Sequence, residues 1–389
     1  MTDIGPGTDG TPLGAARKRI LYVATEDWFF RSHFWAMARA AKRAGFDIAL
    51  AARRSDAASE IAAEGIRIIP INLTRGTLNP IRVLAEAVGM WRLFRRERPD
   101  ILHLIALKPI FVGGLAAALS GQCRVVNSVT GIGFLGVAES RKLAFVRRLI
   151  WPIFSLLLGR ANSWILVDNA DDARTVGRKA NNPITRVGGA GVDPQYFAEL
   201  PPPKRPPVTA AVVARMLWSK GIDTIVEAQA LLRERQIDIA VTLAGPVEHH
   251  TSNALTESLL EEWSTRPGIR WIGRQSDVRA VWRDAHIAVL ASRGGEGLPR
   301  ALLEAAACGR PIVTTDVPGC RDFIRPGIEG FIVPPGDPHA LADALAKLAL
   351  DAELREMMGR NARARVFSGY TEKQVSDAVV QLYDSLFGH

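Results

Sequence analysis

The stretch Pro201-Pro-Pro-Lys-Arg-Pro-Pro207 limits what this chain can fold into more than any other. Proline fixes its own φ and lacks an amide donor. Five in seven residues therefore exclude a helix interior and a central strand, and leave a stiff, extended segment. The run reads as a linker between two bodies, residues 1–200 and 201–371.

Before it, short apolar runs alternate with helical patterns. Strands are expected at Arg19–Thr25, Asp47–Ala52, Ile66–Ile71, Ile101–Ala106, Val125–Thr130 and Trp164–Asp168, with helices at Ser32–Ala44 and from Asn79-Pro80 onward. After it the rhythm restarts, with strands at Val208–Val213, Ile239–Ala244, Ile269–Ile272, Ile287–Ala291 and Ile312–Thr315, and a later helix opened by Asp337-Pro338. Such alternation implies parallel sheets with helices on both faces. The fold expected is α/β, two doubly wound Rossmann-like domains, and 389 residues suffice for two cores.

The net charge of +9 is unevenly placed: residues 1–200 hold 27 Lys and Arg against 17 Asp and Glu, the remainder 22 against 23. A first half at +10 suits nucleic acid, an anionic membrane surface or a phosphorylated acceptor. Cys123, Cys308 and Cys320 show neither metal-ligand nor disulfide spacing, which fits a reducing, cytoplasmic compartment. The first sixteen residues have no apolar core or cleavage site, so no secretion signal is expected. Leu149–Gly159 falls short of the roughly 20 residues of a membrane span.

Chemistry concentrates in Arg293-Gly-Gly-Glu-Gly-Leu-Pro-Arg-Ala-Leu-Leu-Glu-Ala-Ala-Ala-Cys-Gly309, which follows the apolar run Ile287–Ser292. It reads as strand, glycine loop and helix, with Pro299 suited to the first helical position and Gly309 to the residue past the end. Glu296 then lies in the loop and Glu304 inside an apolar helix, where a carboxylate needs a partner. The amides of Gly297 and Leu298 are expected unpaired at the positive end of the helix, open to an anion. The plainer alternative makes Glu296 a solvated loop residue and pairs Glu304 with an internal Arg.

The stretch resembles the donor-site signature of retaining GT-B glycosyltransferases of family four, two glutamates separated by seven residues, and the likeness continues through Pro311–Gly319 and Gly330–Asp337. The resemblance implies that Glu296 lies against the donor sugar and that Glu304 hydrogen-bonds the ribose of a sugar nucleotide. It also implies that the final segment, 372–389, crosses back to the first domain. Arg215 and Lys220, beyond the strand Val208–Val213, sit at a carboxyl strand end where open α/β sheets bind ligands. Their spacing resembles the family's diphosphate-binding Arg and Lys, whose charge stabilises the departing nucleotide. Gly245, and Gly273 with Arg274, lie at further strand ends and are candidates for admitting the base. No Asp-x-Asp occurs, so no metal or cofactor is expected, the nucleotide sugar being substrate.

In the first half, Thr130-Gly-Ile-Gly-Phe-Leu-Gly136 contains Gly-x-Gly-x-x-Gly after a strand, the mark of a dinucleotide turn. It follows a late strand, and the region about 20 residues on has no acid for a ribose, which argues against a dehydrogenase. With Leu102–Pro109 the segment resembles a narrower branch, bacterial transferases extending sugars on undecaprenyl diphosphate (N-acetylgalactosaminyltransferase-like). That implies a lipid-linked saccharide acceptor, with Thr130, Gly131, His33, His103 and Lys108 as acceptor-side candidates. Many family members carry His-Gly where this chain has Thr130-Gly131.

Pro80–Arg98 and the segment from Arg147 to Arg160 combine apolar residues with flanking arginines, as helices on an anionic membrane do. The chain is thus expected to attach peripherally to the inner face of the cell membrane. Three readings stay open beside this one: a sugar-nucleotide epimerase or hydrolase of the same fold, a transferase with a soluble acceptor, and a non-catalytic nucleic-acid binder. The resemblance itself implies no nucleic-acid partner.

Overall fold

The computed structural model describes residues 17–73, 79–121, 123–132, 151–178, 182–204, 206–248, 251 and 253–388. Strands β1 (Arg19–Glu26), β2 (Asp47–Arg53), β3 (Arg67–Pro70), β4 (Ile101–Ile105), β5 (Arg124–Val129), β6 (Ser163–Val167) and β7 (Ile184–Arg186) form one parallel sheet. Its order is β3-β2-β1-β4-β5-β6-β7. Strands β8 (Val208–Val213), β9 (Ile239–Ala244), β10 (Ile269–Trp271), β11 (Ile287–Leu290), β12 (Ile312–Thr315) and β13 (Gly330–Val333) form a second, also parallel. Its order is β10-β9-β8-β11-β12-β13.

The strands read as continuous apolar runs because both faces of each sheet are covered. Along β1, Leu21 and Val23 enter one core while Ile20, Tyr22 and Ala24 enter the core on the opposite face. Along β8, Ala210 and Val212 face one core and Ala211 the other.

Two strands lack a sequence signal. β7 is only three residues, Ile-Thr-Arg, and β13 begins at a glycine, so neither offers a long β-branched run. The helix expected at Ser32–Ala44 is two helices, Asp27–His33 and Trp35–Arg43, broken at Phe34. The Phe34 ring is buried edge-on to His103, so packing overrides the helical pattern there. Asn79 and Asp337 cap as expected, accepting from Ile81 and Arg82 amides and from the Ala340 amide.

The chain passes between the sheets where Val192 and Thr371 form a parallel bridge. The Val192 amide donates to Tyr370 (3.0 Å) and the Glu372 amide to the Val192 carbonyl (2.9 Å). Val192 and Phe197 already pack into the second body's core. The proline run therefore lies beyond the crossing instead of forming it. Two of its carbonyls are taken by buried side chains: Arg310 Nη2 donates to Pro201 (2.9 Å), and His286 Nε2 lies 3.1 Å from the Pro203 oxygen.

The closing helix Glu372–Ser385 returns to the first sheet, where Val375, Val379, Leu382 and Tyr383 join its core. The Tyr383 and Tyr22 hydroxyls share a 2.9 Å hydrogen bond. Among the described residues no helix is long and apolar enough to cross a membrane.

Candidate active site

In the second sheet the strand order reverses between β8 and β11, which are hydrogen-bonded neighbours. A crevice opens at such a reversal, at the carboxyl ends of the strands. The loops after these two strands carry Arg215, Lys220 and Glu296, and they are tied together. Arg293 donates its amide to Ser219 (2.8 Å) and its guanidinium to Asp223 (2.6 Å).

Glu296 is buried, and its Oε1 accepts from Lys220 Nζ and from Ser292 Oγ. Burial pushes this carboxyl up, but the Lys220 charge and hydrogen bond, helped by Ser292 and the field of Arg215, hold it below the ordinary carboxylate range. It is not a solvated loop residue. Arg215 is half-exposed and carries its own counter-ion, both Glu248 carboxylate oxygens lying 2.8 Å from Nη1. Each cation of the crevice is thus already matched by a carboxylate.

The helix that follows spans Arg300–Ala307, so Pro299 is its N-cap and not its first residue. Gly297 and Leu298 stand in the loop ahead of it, and among the described residues their amides meet no acceptor. Glu304 is buried one turn in and accepts from Arg300 Nε at 2.8 Å, the internal pairing the sequence left open. Burial outweighs Arg300 and raises its carboxyl above the ordinary range. Arg300 also reaches the first body, donating to the Ser32 carbonyl and lying 3.9 Å from Glu372.

The first body presents the turn Thr130-Gly131 to this loop. A Cβ on Gly131 would stand 3.0 Å from the Gly297 nitrogen, and one on Gly297 would stand 2.9 Å from the Thr130 oxygen and 2.6 Å from Asp168 Oδ2. Only glycine allows this approach. Asn169 Nδ2 fastens it, donating to the Gly297 carbonyl (3.0 Å) and to Asp172 (2.9 Å). His33 stacks on Phe29 (4.3 Å) and shares a 2.6 Å hydrogen bond between Nδ1 and Ser32 Oγ. Burial, then the charges of Arg300, Arg215 and Lys220, bring His33 down to about 4, so it faces the cations and is neutral at pH 7.

Three candidates fall elsewhere. His103 is fully buried in β4 with both ring nitrogens occupied, by Tyr383 and Ser128 hydroxyls at 2.5 Å each, and burial brings it down to about 3; it is a core histidine. Lys108 pairs with Glu86 at 2.6 Å and is largely buried, so its charge is spent within the first body. Gly245 has no free backbone group to offer a base: its amide donates to Gly273 (2.8 Å), its carbonyl accepts from Trp271 Nε1 (3.0 Å), and a Cβ would collide with the Ala214 oxygen. Gly273 borders open space and Arg274 beside it is exposed. Gly133 and Gly136 of the glycine motif, and the start of the Arg147–Arg160 segment, lie outside the described residues.

The sequence reading missed Ser292, Glu248, Asn169 and Asp168, and left unnamed the arginine, Arg300, that pairs with Glu304. The rule that ligands gather at carboxyl strand ends, applied to the strand closing at Asp168, would have raised that residue. Among the described residues no group of three or more His, Cys, Asp or Glu is placed to hold a metal ion.

Residues 19–167 match the family Glycosyl transferase 4-like, and residues 193–365 match Glycosyl transferases group 1. The N,N'-diacetylbacillosaminyl-diphospho-undecaprenol alpha-1,3-N-acetylgalactosaminyltransferase of Campylobacter jejuni is 26% identical, over 82% of this chain and 86% of its own length. The UDP-Gal:alpha-D-GlcNAc-diphosphoundecaprenol alpha-1,3-galactosyltransferase of Escherichia coli is 22% identical, over 87% and 89%. Among solved structures, sucrose-phosphate synthase of Thermosynechococcus elongatus superimposes with a TM-score of 0.79 at 18% identity, covering 96% of this chain and all of that one. HepE of Anabaena, solved with UDP and glucose, does so with 0.74 at 14% identity, covering 95% and 100%.

Proposed function

The chain is a transferase of the GT-B fold and belongs to the group 1 glycosyl transferases, and from that premise we propose that it moves a hexose or N-acetylhexosamine from a UDP-linked donor to a saccharide on a polyprenyl diphosphate, with retention of configuration. The observation that carries this reading is the pairing of Lys220 with Glu296, in the field of Arg215, at the reversal point of the second sheet and against the Thr130-Gly131 turn of the first body, with Glu304 on the helix that follows. The names of the two undecaprenyl-linked relatives support the acceptor class. The structural neighbour with bound UDP supports the base.

In this reading Glu304 takes the ribose hydroxyls and Glu296 lies against the donor sugar. The diphosphate displaces Glu248 and Glu296 from the two cations. Arg215 and Lys220 then face a negative charge that grows as the glycosidic bond breaks, so they favour the transition state over the ground state. They supply the charge a bridging metal would bring elsewhere, and the unpaired Gly297 and Leu298 amides add donors to the same anion. No second carboxylate is assigned as nucleophile: the acceptor hydroxyl attacks from the face the diphosphate leaves, and its proton passes to that phosphate.

Attachment to the inner membrane face is part of the proposal. The helix Pro80–Glu97 leaves Ile81 81% and Leu84 67% exposed, with Val88 one turn further on, beside Arg92, Arg95 and Arg96.

A thermal-shift panel of nucleotide sugars tests the donor, since a ligand at 100 times its dissociation constant stabilises by about 2.7 kcal/mol. Glu304→Gln is expected to weaken UDP binding by about 1–3 kcal/mol. A panel with no response to UDP or its sugars overturns the donor assignment, and an inverted anomeric centre in the product overturns retention.

A further inference from the structure

Asp168 follows β6 and stands where the two bodies touch. Its Oδ2 lies within 2.6 Å of the position a Cβ on Gly297 would take, next to the Thr130 carbonyl, and the residue is still partly open to the cleft. Every neighbouring carboxylate has a donor. Asp172 accepts from Asn169 Nδ2 (2.9 Å) and the Ile132 amide (3.3 Å), Asp171 from Arg321 (3.0 Å), and Asp322 from the Ala170 amide (2.7 Å). For the Asp168 side chain no donor is found among the described residues. A half-buried carboxyl without a protein donor, at the edge of a cleft, points to a ligand that completes it.

We infer that Asp168 takes its missing donor from the acceptor: a saccharide hydroxyl entering between the Thr130-Gly131 turn and the Glu296 loop donates to its carboxylate and is held there against the donor sugar. The inference rests on the transferase reading above. The chemistry selects a neutral polyol. Asp172 sets a second acidic group beside Asp168, while Asp171 and Asp322 are matched by Arg321 and Arg186, so the position suits a sugar hydroxyl better than the acceptor's diphosphate. Burial, with Asp172 adding to it, brings Asp168 up to about 7, as expected of a carboxyl awaiting a donor.

The experiment compares wild type, Asp168→Asn and Asp168→Ala. The acceptor is a short-chain polyprenyl-diphosphate N-acetylglucosamine, and the donor is the UDP-sugar that shifts the melting temperature most. Asp168→Ala is expected to raise the acceptor KM about tenfold or more, the loss of one hydrogen bond to a charged group, with the UDP dissociation constant unchanged. Asp168→Asn, which keeps the shape and one acceptor oxygen, should raise it about threefold. Should the Ala variant not fold, the Asn variant decides on the same measure. An unchanged acceptor KM with a lowered melting temperature makes Asp168 a structural residue and overturns the inference alone. A wild-type protein that binds UDP but transfers sugar to no lipid-linked saccharide overturns the parent reading, and the inference with it.

Discussion

Replacing Lys220 by Ala removes the ammonium that keeps Glu296 ionised. The two side chains are 17% and 10% exposed, so solvent does little to screen the charge left behind. Burial alone pushes Glu296 up, and the Lys220 contact is the largest influence opposing it. Removing one partner of a buried pair costs about 3–5 kcal/mol. For a body of this size that is a fall in melting temperature of roughly 6–20 °C.

The pH dependence has a definite sign. In the wild type the folded Glu296 is held below its ordinary value. Its stabilising contribution is therefore present above about pH 4.3 and lost as pH falls through the folded value. In the variant the carboxyl rises, so the penalty is full at neutral pH and shrinks as acid neutralises Glu296. Urea unfolding, followed by tryptophan fluorescence from buried residues such as Trp282, at pH 8 and pH 5 measures both. The double variant Lys220→Met with Glu296→Gln should recover part of the loss, because no unpaired charge remains. A Lys220→Ala protein that unfolds like the wild type at both pH values, or a double variant no better than the single one, would show that the pair is not formed in solution.

Three further outcomes are expected. Arg215→Ala should lower turnover about 10²–10³-fold and UDP affinity far less, measured by steady-state transfer and calorimetry; full turnover would remove Arg215 from the chemistry. His33, brought down to about 4 by burial and then by Arg300, binds protons less readily folded than unfolded, so stability should fall as pH drops from about 6.5 toward 4. In His33→Asn that slope should flatten, and an identical slope in both proteins counts against the burial of this ring. Ile81→Ser with Leu84→Ser should abolish co-sedimentation with phosphatidylglycerol vesicles without altering UDP binding; undiminished sedimentation places the membrane contact elsewhere.

How far the site was legible depended on distance along the chain. The Arg300–Glu304 pair was readable as an internal pairing because helix neighbours four apart face each other. Lys220 and Glu296 were both named, but not as partners, since 76 positions separate them and only the adjacency of β8 and β11 brings them together. His103 carried a readable warning: all five residues of β4 are buried, and a histidine inside such a run is core. Asp168 could be noticed at a strand end, but its lack of a donor is a fact about what surrounds it.

The sequence by itself determined the two parallel sheets, because strands covered on both faces must be apolar at every position and their connections must be helical. It also determined the loop and helix that carry Glu296 and Glu304, because glycine, proline and apolar periodicity are local signals. Only the tertiary structure decided where the chain crosses between the bodies, at the Val192–Thr371 bridge and not at the proline run. It alone decided which charge meets which, and which glycines, Gly131 and Gly297, let the bodies touch. These depend on strand order and on the approach of separate backbones, for which residue periodicity along one segment carries no signal.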